Sequence, residues 1–261
     1  MPNGATKPRS VRHGTEPLDK LEMAVARLYR AGCYTSTMKI VGHRGARGLA
    51  PENTIASLQK ALEHHVDELE FDVRVTKDEV VILHHDRNLA DASGSKLRVS
   101  SHTYRELKAH KPDLATLEEV LKVIGHPVPL YIEVKPHEPI KPIVKILKSS
   151  LANGWEAQHF LLASSSQKTL LELQAALPEI PKVVIEFWSG VRATRRARQL
   201  GTKRLSMDQH WLWWGFIRGF KNSDWQLYAY TLNNPKKARR WARYGLAGVI
   251  TDYPDRFEKP E

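Results

Sequence analysis

Cysteine occurs once in this chain, at Cys33, which excludes an intramolecular disulfide and any cysteine-built zinc site. No stretch approaches the ~18 consecutive apolar residues that a membrane-spanning helix needs. The opening Met-Pro-Asn-Gly-Ala-Thr-Lys-Pro-Arg-Ser lacks the apolar centre of a secretory signal, and a cytoplasmic location is expected. Low-complexity tracts and short repeats are absent. Acidic side chains are the minority, 29 Asp+Glu against 40 Lys+Arg, for a formal net charge of +11. What remains is ordinary globular composition: 261 residues, 41% hydrophobic, with 15 Gly and 15 Pro. That length can bury one large core and lies near the ~250 residues typical of a (β/α)8 barrel.

The excess charge is local. Residues 182–243 hold 14 Lys/Arg and 3 Asp/Glu, while the rest of the chain carries 26 of each sign. Such a surface can attract nucleic acid, anionic membrane or a phosphorylated substrate. Within 234–245, however, Ala238, Trp241 and Ala242 recur at helical spacing and the basic residues fill the other face. Pro235 and Gly245 bracket that helix. Residues 191–200 read the same way, as a solvated helix face. No nucleic-acid-binding motif accompanies the charge, and no nucleic-acid partner is expected.

Residues 1–37 are polar and punctuated by Pro and Gly, and they read as an extension outside the core; residues 38–261 read as one domain. From Lys39 onward strand-like and helix-like segments alternate, with strands expected at 39–42, 68–75, 79–84, 129–134, 159–163, 182–186, 203–207, 226–230 and 248–251. Helices are expected near 54–65, 116–124, 139–152, 167–177, 191–200, 211–221 and 235–244. Thr116 to Glu119 forms a capping box, and Asn53 or Thr54 can cap the first helix. Alternation of this kind argues for a parallel sheet with crossover helices. The link from the second strand to the third, Thr76–Glu79, is too short for a parallel crossover, so those two form an antiparallel hairpin. Without that return strand eight parallel strands remain: an α/β fold, a (β/α)8 TIM barrel with an extra antiparallel hairpin strand after strand two.

Barrel enzymes place their chemistry at the C-terminal ends of the strands. Strand one ends in His43-Arg44-Gly45. Strand two carries Glu70 and Asp72 on one face, the return strand ends in His84-His85-Asp86, and the next barrel strand ends in Glu133-Val-Lys135. A two-residue turn at Lys77-Asp78 would set His85 opposite Glu70; a one-residue slip would bring His84 there instead. Three carboxylates (Glu70, Asp72, Glu133) converging on one mouth repel one another unless a cation joins them. All-oxygen ligands select a hard ion, one Ca2+ or Mg2+. Arg44 and Lys135 are suited to a phosphate, and the two histidines to proton exchange near neutral pH.

His43-Arg-Gly, Pro51-Glu-Asn-Thr54, Glu70-Phe-Asp72, His85-Asp86, Glu133-Val-Lys135 and Gly248-Val-Ile-Thr-Asp-Tyr-Pro254, in that order, resemble the glycerophosphodiester phosphodiesterase family over about Lys39 to Pro254. The resemblance implies a metal-dependent barrel that hydrolyses glycerophosphodiesters to glycerol 3-phosphate and an alcohol. It implies metal ligation by Glu70, Asp72 and Glu133, acid–base roles for His43 and His85, and phosphate contacts from Arg44 and Lys135. Glu52 and Asn53 would be support residues. Two motifs depart from the family pattern: Ala163-Ser-Ser-Ser-Gln167 lacks an aromatic residue, and Tyr230-Thr-Leu-Asn233 has Tyr in place of Trp. Both would line the substrate mouth, with Tyr230 a substrate contact. The short segment between His85 and Thr116 leaves that mouth open.

Gln209 to Phe220 is dense in aromatics. Trp211, Trp213, Trp214 and Phe216 cannot share one helix face, so some aromatic surface should be exposed. Helix packing is one reading; weak contact with a membrane or an acyl chain is the other, and it would turn the same site into a lysophospholipase D. A non-catalytic barrel that binds phospholipid headgroups is the reading from another class.

Overall fold

The computed structural model describes residues 38–90 and 96–257; the extension expected over 1–37 lies outside them. In chain order the elements are β1 (Lys39–Gly42), α1 (Ile55–Glu63), β2 (Glu68–Val75), β3 (Val81–Leu83), β4 (Asn88–Ala90), β5 (Lys96–Arg98), α2 (Tyr104–His110) and α3 (Leu117–Ile124). There follow β6 (Leu130–Val134), α4 (Ile140–Ala152), β7 (Phe160–Ser164), α5 (Gln167–Ala176), β8 (Lys182–Glu186) and α6 (Gly190–Gln199). The chain closes with β9 (Arg204–Asp208), α7 (Trp214–Arg218), β10 (Gln226–Tyr230), α8 (Pro235–Ala242) and β11 (Gly248–Thr251).

Eight strands pair in parallel in the order β1, β2, β6, β7, β8, β9, β10, β11, and β11 returns to β1, so the barrel is closed. The ninth, β3, pairs antiparallel with β2 outside this ring. Strand alternation then sorts the side chains. Leu69, Phe71 and Val73 of β2 pack outward with the helices, whereas Val41, Tyr131, Leu161, Val183, Ile185, Tyr228 and Ile250, from six of the eight barrel strands, belong to a cluster of their own. Glu68 shares the inward parity; its Oε1 takes contacts from Lys39 Nζ (2.7 Å), Arg204 Nη2 (3.1 Å) and Tyr228 Oη (3.3 Å). Continuing the inward parity toward the C-terminal ends reaches His43, Glu70, Asp72, Glu133, Lys135, Tyr230 and Asp252.

Helix starts follow the sequence. Thr54 caps α1 through Ser57 N, and Thr103 and Thr116 form capping boxes with Glu106 and Glu119. Asn234 caps α8, whose Ala238 and Trp241 are buried beneath a basic outer face. The reading of 191–200 as a wholly solvated face needs correction: Arg196 of α6 is buried, donating to the Ile185 carbonyl and reaching Glu186 at 3.3 Å.

The hairpin register also differs from expectation. Val73 pairs with Leu83 and Val75 with Val81, one residue away from the register of a two-residue turn. Thr76 N donates to the Val80 carbonyl at 3.0 Å, and Glu79 turns left-handed (φ 61°). The loop therefore has three residues, a type I turn completed by a left-handed one. The expected strand 79–84 shortens to Val81–Leu83, the expected helix 211–221 to Trp214–Arg218, and the segment from His85 to Thr116 adds the β4–β5 ladder and α2.

Candidate active site

The turn after β1 sets the first residues in place. Arg44 and Gly45 are both left-handed (φ 50° and 81°), which folds the chain back so that Arg44 N donates to Glu70 Oε2 (2.8 Å) and Gly45 N to the Glu70 carbonyl (3.0 Å). A side chain at Gly45 would overlap the backbone of Ser57, so only glycine lets α1 approach this closely. Asn53, left-handed at φ 57°, locks on Asp72: its Nδ2 donates to Oδ2 (2.9 Å) and its Oδ1 accepts from Asp72 N (3.0 Å).

Glu70, Asp72 and Glu133 each offer an oxygen within 4.8 Å of the other two. Asp72 and Glu133 are brought level by the β2–β6 register, which pairs them directly. Lys135 Nζ bridges Asp72 Oδ1 (2.6 Å) and Glu133 Oε1 (2.8 Å). Arg44 holds Glu52 through Nη1 (2.8 Å) and places Nε 3.2 Å from Asp72 Oδ2, without hydrogen-bond alignment. Burial would raise the Asp72 pKa, but Lys135 and Arg44 outweigh it and hold the group below the usual carboxylate range. Glu70 and Glu133 move the other way. Burial raises both, repulsion by Asp72 adds to it, and Glu133 is pushed up to about 7. Two nearby cations thus neutralise one carboxylate well and leave the other two short of positive charge. An acidic trio with that deficit and only oxygen donors fits a hard divalent cation.

His43 Nδ1 lies 2.6 Å from Asp252 Oδ1. Burial lowers the imidazole's pKa and the Asp252 hydrogen bond partly restores it, so the ring is neutral near pH 7, with its Nδ1 proton on Asp252 and Nε2 left for other work. Asp252 is fixed in turn by Asn233 Nδ2 at Oδ2 (2.8 Å) and by Arg47 Nε at 3.4 Å from Oδ1. Asn233 cannot rotate, since its Oδ1 accepts from both Thr251 Oγ1 and Asp252 N (2.9 Å each). His85, beyond the end of β3, has Nδ1 on Asp86 Oδ1 at 2.8 Å; burial lowers its pKa, and Asp72, Lys135 and Arg44 are the charges it feels. The pairing runs one step past Leu83, with His84 N donating to the Asp72 carbonyl (3.1 Å), but the His84 ring turns to the Asn88 carbonyl through Nε2. Among the site carboxylates, Asp72 is the one whose charge acts on His85.

Tyr230 stands at the mouth, with its hydroxyl donating to the Glu186 carbonyl (3.1 Å) and its ring edge-on to Phe187 at 6.3 Å. Four residues here have no role assigned from the sequence. Asp252 and Asn233 orient His43. Arg74 donates from Nε and Nη2 to the His85 carbonyl (3.0 and 2.8 Å) and from Nη1 to Glu138 (2.6 Å), fixing the histidine's backbone. Parity alone could have found two of them: Arg74 follows Glu70 and Asp72 at the same spacing, and Asp252 follows Ile250.

The model of the glycerophosphoryl diester phosphodiesterase family matches residues 43–256. The chain belongs to this family. Among its relatives, a glycerophosphodiester phosphodiesterase of Bacillus subtilis is 29% identical over 253 residues, covering 84% of this chain and 85% of the relative. The human lysophospholipase D GDPD1 is 25% identical over 265 residues, with 84% of each chain covered. An Oleispira antarctica phosphodiesterase, solved in complex with the product sn-glycerol-3-phosphate, superimposes with a TM-score of 0.74 at 24% identity, covering 84% of this chain and 94% of its own. The family match begins at His43 itself, so it includes every residue assembled above.

Proposed function

We propose that this member of the glycerophosphodiester phosphodiesterase family hydrolyses glycerophosphodiesters to glycerol 3-phosphate and an alcohol, with a divalent cation held by Glu70, Asp72 and Glu133. The observation that carries it is the meeting of this carboxylate trio with Lys135, Arg44, His43–Asp252 and His85 at one barrel mouth. Ca2+ or Mg2+ suits the oxygen-only donor set. Bound there, the ion supplies Lewis-acid stabilisation of phosphoryl charge.

The chain's own residues do the rest. Lys135 and Arg44 flank the trio and offer N–H donors to phosphate oxygens. His43, neutral and oriented by Asp252, presents Nε2 as a proton acceptor or, once protonated, a donor; His85 is its counterpart. One removes the proton of the attacking hydroxyl or water and the other protonates the leaving alcohol, steps that contribute ~10²–10⁴-fold each. Tyr230 walls the mouth where the alcohol departs.

Glycerol 3-phosphate release from glycerophosphocholine tests the reading. Activity should be lost in EDTA and return with added Ca2+ or Mg2+; undiminished hydrolysis in chelator would refute the metal role. A second reading, lysophospholipase D activity at the same site, rests on exposed tryptophans beside the mouth. Turnover of lysophosphatidylcholine relative to glycerophosphocholine decides it.

A further inference from the structure

The loops that follow β8 and β9 leave the barrel at the same end as the carboxylate trio, and they carry large apolar side chains into solvent. Trp188 is 58% exposed, Trp211 59%, Trp213 60% and Trp214 58%, with Phe187 and Val191 beside them in sequence. The two loops are packed together: Gly190, at the start of α6, abuts the ring of Phe216 on α7. They are also continuous with the site, because Phe187 meets Tyr230 edge-on and Gln209 donates to the Thr231 carbonyl. A monomeric protein rarely exposes so much contiguous aromatic surface without a partner.

Charge identifies the partner's sign. Residues 187–221 contain eight Lys/Arg (Arg192, Arg195, Arg196, Arg198, Lys203, Arg204, Arg218 and Lys221) and one acidic residue, Asp208. Arg195, Arg198, Arg218 and Lys221 are exposed. Exposed basic side chains on the elements that carry the aromatic cluster suit a surface that is apolar within and anionic at its face, which is the combination a phospholipid bilayer presents. Tryptophan is the residue whose amphipathic ring settles at headgroup level. Single-stranded nucleic acid would need parallel aromatic platforms for successive bases. Here the neighbouring rings stand edge-on, Trp213 to Trp214 at 88° and Phe187 to Tyr230 at 88°.

We propose that Trp188, Trp211, Trp213 and Trp214, with the basic rim of α6 and α7, dock the mouth of the barrel on an anionic phospholipid surface. This goes beyond the hydrolytic reading and is measured without it. Cosedimentation with vesicles of phosphatidylcholine alone, or of phosphatidylcholine with phosphatidylglycerol, gives the test. The protein should bind the anionic vesicles and lose affinity as salt is raised. Trp213→Ala/Trp214→Ala should weaken binding by at least about tenfold through lost apolar area. Arg195→Ala and Arg218→Ala should each weaken it about fivefold. Tryptophan fluorescence should be quenched by brominated lipid in the parent protein and less so in the Trp213/Trp214 variant. These side chains lie outside the carboxylate and histidine groups, so hydrolysis of soluble glycerophosphocholine should be unchanged in every variant and reports that each is folded. No binding to anionic vesicles, or binding that survives loss of Trp213 and Trp214, would overturn the proposal. So would tryptophan-dependent dimerisation in sedimentation velocity, or preferential binding to single-stranded nucleic acid.

Discussion

Replacing Asp252 by Asn removes one charge and keeps the shape, and the surrounding hydrogen bonds then decide which nitrogen of His43 carries the proton. Asn233 cannot turn, because its Oδ1 already accepts from Thr251 Oγ1 and Asp252 N, so its Nδ2 must find an acceptor at position 252. The amide oxygen of the new Asn is therefore claimed by Asn233, and its NH2 faces His43 Nδ1. Two donors cannot share a bond at 2.6 Å, so His43 must accept at Nδ1 and carry its proton on Nε2. That is the nitrogen left for substrate, now protonated and unable to act as a base. Half-exposed Arg47 turns to water. The loss should approach the whole contribution of one acid–base step, about 10²–10⁴-fold in kcat. KM should stay within about threefold, since the change touches proton transfer and not uniform binding. Steady-state release of glycerol 3-phosphate from glycerophosphocholine measures both constants, and a thermal melt confirms that the variant is folded. A folded Asp252→Asn enzyme with kcat within about threefold of the parent would refute both the tautomer assignment and the role of His43.

Further consequences arise from the same contacts. Arg74→Met removes the ionic partner of half-buried Glu138, which keeps only the Val75 N–H, and should cost about 1.5–3 kcal/mol in urea unfolding, whereas Arg74→Met/Glu138→Gln should cost less than the single change. Gly45→Ala forces a side chain into Ser57 at a left-handed φ, and the expected loss of at least about 2 kcal/mol should be visible as a lower melting temperature. His43, with its pKa held below 6.5, gives stability that is complete above the unfolded value and is lost as pH falls through the folded one. Glu70 and Glu133, with raised values, act in the opposite sense, so the histidine contribution is isolated by comparison with His43→Gln. Relative to that variant the parent should lose stability as pH falls from about 7 to about 5, and a constant difference would contradict the effect of burial on the ring. Glu133→Gln should weaken Mn2+ binding, read by paramagnetic relaxation of water, by at least about tenfold.

The barrel is legible in the sequence because alternation and strand arithmetic do not depend on detail: eight parallel strands survive errors of one residue at most ends. The carboxylate trio is legible for the same reason, since Glu70 and Asp72 share a face by spacing and Glu133 recurs at the next barrel strand. The hairpin register is not, because it hangs on whether Glu79 adopts a left-handed conformation, and a glutamate gives no signal of that. His85 reaches the site anyway, past the last paired backbone group at His84, with its carbonyl held by Arg74. Parity marks Asp252 as inward, but its pairing with His43 is hidden by distance: 209 residues separate the two, and only barrel closure between β11 and β1 brings them together. Arg196 reads as solvated because its partner Glu186 lies on a different element, at the end of β8. The exposed tryptophans of 211–214 follow from crowding, as four bulky rings within six residues cannot all turn inward, whereas exposed Trp188 has no such signal.

Asp72 shows how the parts depend on one another. It takes the Lys135 ammonium on Oδ1, and the Asn53 amide and the edge of Arg44 on Oδ2, which is why it stays ionised in a site where burial opposes charge. Each of those groups is set by a different local device: β6 delivers Lys135, and left-handed turns deliver Arg44 and Asn53. With both cations drawn to Asp72, no ion pair among the described residues serves Glu70, whose carboxylate accepts from the Arg44 backbone N–H, while Glu133 shares the same lysine. A third positive group beside Glu70 would complete the neutralisation. The deficit that remains is what suits the trio to a divalent cation.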